Sequence, residues 1–101
     1  MSVVNLAEVA AGLPQAWSSR RLGQVGAACV KVLRMDELPV EEESHGADEA
    51  LLVIDGRLEL EVNGVPVAVR AGELYLMPAG AVHAVRPGSH GTLMIVESAE
   101  D

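Results

Sequence analysis

From residue 27 onward the chain alternates short apolar runs with Gly, Pro, Asn and Asp. The runs fall near residues 28–34, 49–55, 57–62, 65–70, 73–77, 82–86 and 92–97. Strands this short and this closely spaced predict an all-β sandwich or barrel. Asp55-Gly56 and Asn63-Gly64 are hairpin-turn dipeptides, so a tight turn is expected at each. Between them Leu58, Leu60 and Val62 alternate with Glu59 and Glu61, which gives one buried face and one wet face. Val65, Val67 and Val69 repeat the alternation. Residues 50–54 and 93–96 are apolar on both parities. Strands of that kind are covered on both faces, here by an N-terminal arm or by a second copy of the chain.

Residues 1–26 are less regular. Asn5 followed by Glu8 resembles a capping box with Asn in place of Ser or Thr, and predicts a short helix near Leu6–Ala11 that Gly12 and Pro14 end. Residues 15–26 read as an arm or short edge strands, with Trp17 anchoring them to the barrel. The organisation expected is therefore an arm over 1–26, a β-barrel domain over 27–97 and a solvated tail over 98–101.

Composition narrows the function classes. The chain has 101 residues, enough for one domain and a core that needs no disulfide staples. Only Trp17 and Tyr75 are aromatic, so the core is aliphatic and base-stacking platforms are missing. Fifteen acids against seven Lys and Arg give a formal charge of −8, which repels nucleic-acid backbones. Cys29, the single cysteine, lies in an apolar run and reads as a small buried hydrophobe. No basic leader and no long apolar segment is present, so the expected setting is a reducing cytoplasm, without membrane or nucleic-acid partners.

The acidity is uneven. Asp36, Glu37, Glu41, Glu42, Glu43, Asp48 and Glu49 place seven of the fifteen acids within fourteen residues, with His45 among them. Such a run is commonly a solvated loop. Here Glu43 and His45 stand two apart, so an extended backbone points both to one side, and Glu49 has the same parity. A second cluster reads Gly72-Glu-Leu-Tyr-Leu-Met-Pro78-Ala-Gly80-Ala-Val-His83, a strand running into a Pro-x-Gly turn that aims His83. Oxygen and imidazole donors of this kind suit Mn, Fe, Co, Ni or Zn. His90 reads as a surface histidine in a turn. Met35, Met77 and Met94 read as core or pocket fillers, and Arg34, Arg57, Arg70 and Arg86 as candidates for an anionic ligand.

These two clusters resemble the two motifs of the cupin superfamily, G-x5-H-x-H-x3,4-E-x6-G and G-x5-P-x-G-x2-H-x3-N. The second stands as Gly72, Pro78, Gly80 and His83, and the first as His45, Glu49 and Gly56. The resemblance covers roughly residues 28–97 and is strongest to small single-domain RmlC-like cupins. It implies a jelly-roll barrel, or double-stranded β-helix, preceded by a short helix or arm. It also implies a divalent metal held by His45, Glu49 and His83. The chain departs from the pattern where Glu43 replaces the first histidine, Glu37 the opening glycine and Pro87 the closing asparagine. Glu43 can still ligate, which makes the expected site Glu43, His45, Glu49 and His83, more anionic than the family's usual three His and one Glu. The function so implied is metal binding, with dioxygenase-, isomerase- or decarboxylase-like action on a small molecule. The alternative is a non-catalytic ligand-binding or sensor barrel with an empty or degenerate site. Small cupins commonly dimerise, so a homodimer is expected.

Overall fold

The computed structural model describes residues 3–98. The described residues form one short helix, α1 (Leu6–Ala11), and eight strands: β1 (Arg20–Val25), β2 (Ala28–Met35), β3 (Val40–Glu43), β4 (Glu49–Val62), β5 (Val65–Arg70), β6 (Leu74–Met77), β7 (His83–Val85) and β8 (His90–Ser98). All pairings are antiparallel. The helix starts as expected, with the Asn5 side chain accepting the Glu8 N–H at 3.0 Å, the usual way of satisfying a free donor in the first turn.

Two facing sheets share the 14-residue β4. Its first half pairs with β6 on one side and with β8 on the other, and β8 continues the sheet through β2 to the edge strand β1. Its second half pairs with β5 and β7, and β7 carries β3 at the opposite edge. This is the expected all-β jelly-roll barrel. The core between the sheets is aliphatic, with Leu33, Leu51, Val53, Leu58, Leu60 and Leu93 at its centre. Cys29 and the core methionines Met35 and Met77 are buried as read from the sequence.

One expected turn is absent. Asp55-Gly56 makes no hairpin; β4 runs straight through it with an irregularity between Val53 and Asp55. The glycine serves a different need. A Cβ on Gly56 would lie 2.0 Å from the His90 carbonyl oxygen, and one on Gly91 would lie 2.2 Å from that of Asp55. Two backbones meet here at a distance only glycine permits, and Gly56 also takes a left-handed φ. Asn63-Gly64 does form the hairpin, with both residues at the positive φ that a type I′ turn requires.

Two further differences follow from tertiary pairing. The acid-rich stretch, outside the predicted strands, includes β3, whose acids are tolerated because most of the strand is exposed at an edge. β8 extends to Ser98, one residue into the expected tail; residues 99–101 lie outside the described residues. Residues 20–25 form an edge strand, one of the two forms expected there: β1 is joined to β2 by the turn at Gly26 and Ala27.

The outer face of the β2–β8–β4 sheet is partly covered by α1, which buries Ala10. Val32, whose parity faces away from the barrel interior, is fully buried there. Beyond the helix the face stays open: Leu74 and Leu76 on the edge strand β6 are 56% and 68% exposed.

Candidate metal centre

Register decides what stands at the barrel mouth. β3 pairs with β7 so that Glu43 and His83 are direct cross-strand partners. Two residues later the chain has left β3, and His45 turns to the same side. The loop that carries His45 is tied to the Pro78-Ala79-Gly80 turn: the Gly80 N–H donates to the His45 carbonyl at 2.8 Å, and the Ala79 N–H to Asp48 Oδ1 at 2.8 Å. Gly80 takes a left-handed φ, a conformation that suits glycine. The two sequence clusters are thus bonded to each other, which fixes His45 relative to His83.

Glu43, His45 and His83 each offer a ligand atom, and these atoms all lie within 4.8 Å of one another. Glu43 Oε1 is 3.4 Å from His45 Nε2 and 3.6 Å from His83 Nε2. The imidazole rings stand 5.3 Å apart at 38°. His83 is buried, and its Nδ1 lies 3.2 Å from the Ala81 carbonyl, which can only accept. Nδ1 therefore carries a proton, and Nε2 is the ring atom that faces the Glu43 carboxylate.

The donor set fits a divalent ion. Two atoms each about 2.1 Å from one ion lie about 3.4 Å apart at a tetrahedral angle, close to the separations above. The Ala81 carbonyl is the kind of outer partner that orients a ligating histidine.

Glu49 stands beside this group and outside its 4.8 Å circle. It is the cross-strand partner of Glu97, and the two carboxyls share a hydrogen bond. Burial pushes the Glu49 carboxyl above the ordinary range, the bond to Glu97 adds to this, and the nearby His45 and His83 oppose it. Burial also pushes Glu97 upward, but the hydrogen bonds from Lys31 and Glu49 outweigh it and hold Glu97 lower. Of the two, Glu49 is the carboxyl that favours the shared proton. Lys31 Nζ is 2.6 Å from Glu97 Oε1, and that bond raises the lysine's own pKa. Neither Glu97 nor Lys31 was singled out from the sequence; the available signal was the parity of Glu97 with the inward Leu93 and Ile95.

Lys31→Met is expected to cost about 1 kcal/mol at neutral pH, the worth of a half-exposed charge-assisted bond. The pH dependence should also change. In the native protein Glu97, with its lowered pKa, contributes stability above the carboxylate range that is lost as pH falls, and Glu49, with its raised pKa, works in the opposite direction. Without Lys31 the strongest lowering contact on Glu97 is gone, so the variant should lose less stability than the native protein as pH falls through the carboxylate range. Thermal melts across that range would show it; parallel profiles for the two proteins would contradict it.

Other sequence candidates lie elsewhere. Arg34 donates to the Leu13 carbonyl on the outer face. Arg57 pairs with Glu59 and Arg86 with Glu61. His90 is exposed, as expected of a surface histidine.

Comparison with known proteins accounts for the arrangement. Residues 34–98 match the family model Cupin_2, the cupin domain. The chain belongs to the Cupin_2 family. Quercetin 2,3-dioxygenase of Bacillus subtilis is 36% identical over 58 residues, 57% of this chain and 16% of the enzyme, so the chain spans about a sixth of that relative's length. A cupin-2 domain protein from Shewanella frigidimarina superposes with TM-score 0.85 at 24% identity, covering 95% of this chain and 94% of its own. A hydroquinone 1,2-dioxygenase, solved with Cd2+ and 4-hydroxybenzonitrile, superposes with TM-score 0.79 at 20% identity, covering 93% and 71%. At such identities the likeness establishes the fold. Among the described residues no helix is long and apolar enough to cross a membrane.

Proposed function

We propose that this cupin binds one divalent metal ion at Glu43, His45 and His83 and presents it to a small molecule in the barrel. The observation that carries the reading is the convergence of one ligand atom each from Glu43, His45 and His83 within 4.8 Å, with His83 Nε2 facing the Glu43 carboxylate at 3.6 Å. Glu49 adjoins the group and becomes a fourth ligand if it releases its proton and its bond to Glu97. When bound, the ion would supply a Lewis acid and a template for a small molecule at its open positions. The chain's own residues would orient the ion, keep His83 in one tautomer and exclude water with aliphatic walls.

A metal site of this kind fits a dioxygenase-, isomerase- or decarboxylase-like activity. The two dioxygenases among the similar proteins favour the first. Titration of tag-free, chelator-treated protein with Mn, Fe, Co, Ni and Zn should give one ion per chain. Substoichiometric uptake of every metal would leave the ligand-binding barrel without a metal as the better reading.

The buried single thiol agrees with a reducing cytoplasm. We further propose a homodimer over the open outer sheet face. β6 is the free edge of that sheet and presents Leu74 and Leu76, an apolar strip that a second copy would bury symmetrically. Light scattering should give twice the chain mass at micromolar concentration and the monomer mass for Leu76→Asp. A monomeric native protein would remove the dimer.

A further inference from the structure

The three clustered ligands are part of the lining of a cavity of about 240 Å3. The acidic groups of that lining adjoin one another, since Glu49 and Glu97 bond to each other near the histidines. The remaining walls are aliphatic, from residues such as Leu33, Leu51, Leu58, Leu60, Val85 and Ile95. No Lys or Arg among the described residues lines the cavity, and the Lys31 ammonium is already bonded to Glu97.

One aromatic side chain, Trp17, lines it, and its backbone is unusual. Trp17 takes a positive, left-handed φ, which side chains other than glycine adopt rarely and at a cost. Several contacts hold it there. Its N–H donates to the Arg34 carbonyl at 2.8 Å, its indole Nε1–H to Asp36 Oδ1 at 3.0 Å, and its ring packs on the core. Strain that is over-determined in this way, on a segment that lines a cavity, points to a positional role for the ring.

We infer that the cavity selects a compact aliphatic molecule with one oxygen-donor head and no free anionic group, and that Trp17 sets the length it accepts. The inference rests on the metal reading for the head and on the cavity alone for the tail. Sites for drug-sized ligands run from about 300 to 1,000 Å3, and this one is smaller. At about 30 Å3 per water-sized unit it holds roughly eight heavy atoms. A free carboxylate or phosphate entering it would meet Glu43 and Glu97 with no basic side chain to offset them. With one ring in the wall, the tail is held by burial and not by stacking.

Alkyl hydroxamates from two to eight carbons, titrated by calorimetry into the zinc-loaded full chain, test this. A hydroxamate head takes four of the roughly eight heavy atoms, so affinity should rise about fourfold per methylene for about four tail carbons and then stop. In Trp17→Gly, where glycine tolerates the same backbone conformation, the limit should move to longer chains. Trp17→Leu should give an intermediate limit, and thermal melts check that each variant is folded. Flat chain-length dependence in the native protein, or an unmoved limit in a folded variant, overturns the inference; should both variants fail to fold, the native series decides. Failure of zinc to bind at all would instead count against the metal reading. Primary alkanols on the metal-free protein, followed by thermal shift, then decide the cavity inference by the same limit and its displacement in Trp17→Gly.

Discussion

His83→Ala is expected to weaken metal binding more than a hundredfold while leaving the barrel folded. Removing an outer partner of a ligating histidine typically costs 10–100-fold, and here a ligand itself is lost. His83 is the one buried member of the group, and its tautomer is fixed by the Ala81 carbonyl. The effect should be legible in stability as well as in stoichiometry. A ligand at a hundred times its Kd adds about 2.7 kcal/mol, which for a domain of this size is a rise of roughly 10–20 °C in Tm. Saturating metal should give that rise in the native protein and almost none in the variant. Equal metal-induced shifts in the two proteins would remove His83 from the site. Loss of the fold in His83→Ala, with no metal taken up by the native chain, would make the histidine structural.

Gly56→Ala should cost more than about 4 kcal/mol, a range reached only by severe conflicts of packing or backbone. The added Cβ would fall 2.0 Å from the His90 carbonyl oxygen and 2.9 Å from Gly91 Cα, both backbone atoms of a neighbouring strand. Neither can yield without opening the β4–β8 ladder. Gly64→Ala provides the comparison. Gly64 has the same left-handed φ, but nothing lies within 4 Å of its Cβ position, so only the left-handed backbone penalty of about 1–2 kcal/mol applies. Denaturant unfolding of the two variants separates the steric part from the conformational part. Similar losses for both would mean that β4 and β8 are free to separate at this point.

The strands of the barrel were legible because their signal is local. Alternation in residues 58–62 names a buried face whatever the strand pairs with, and Leu58, Leu60 and Val62 are indeed buried. The Asn63-Gly64 turn and the Asn5 cap depend on a few adjacent residues, and both formed. Asp55-Gly56 carries the same local signal as Asn63-Gly64 and gave the opposite result, because the partner that requires the glycine lies thirty-four positions away at His90. β3 was illegible for a similar reason. Val-Glu-Glu-Glu has little strand propensity of its own, and it pairs because β7 offers it an edge.

The motif spacing placed Glu43, His45 and His83 together, and the register of β3 on β7 explains why: Glu43 and His83 are cross-strand partners. Glu97 and Trp17 reached the cavity by routes the spacing does not record. Glu97 arrives by pairing with Glu49, and outside the lining Lys31 bonds to it. Trp17 arrives through a left-handed backbone held by Arg34 and Asp36.

What the sequence determined by itself was most of the strands and their buried faces, the Asn63-Gly64 turn, the Asn5 cap, and the residue types that can ligate a metal. Those follow from period, propensity and donor chemistry, which act over a few neighbouring residues. Tertiary structure alone decided which strands pair, where the backbone crosses closely enough to exclude a Cβ, which carboxyl favours the proton, and which indole ring lines the cavity. Each of these depends on groups far apart in the chain, and on burial that exists only once both sheets have closed over the core.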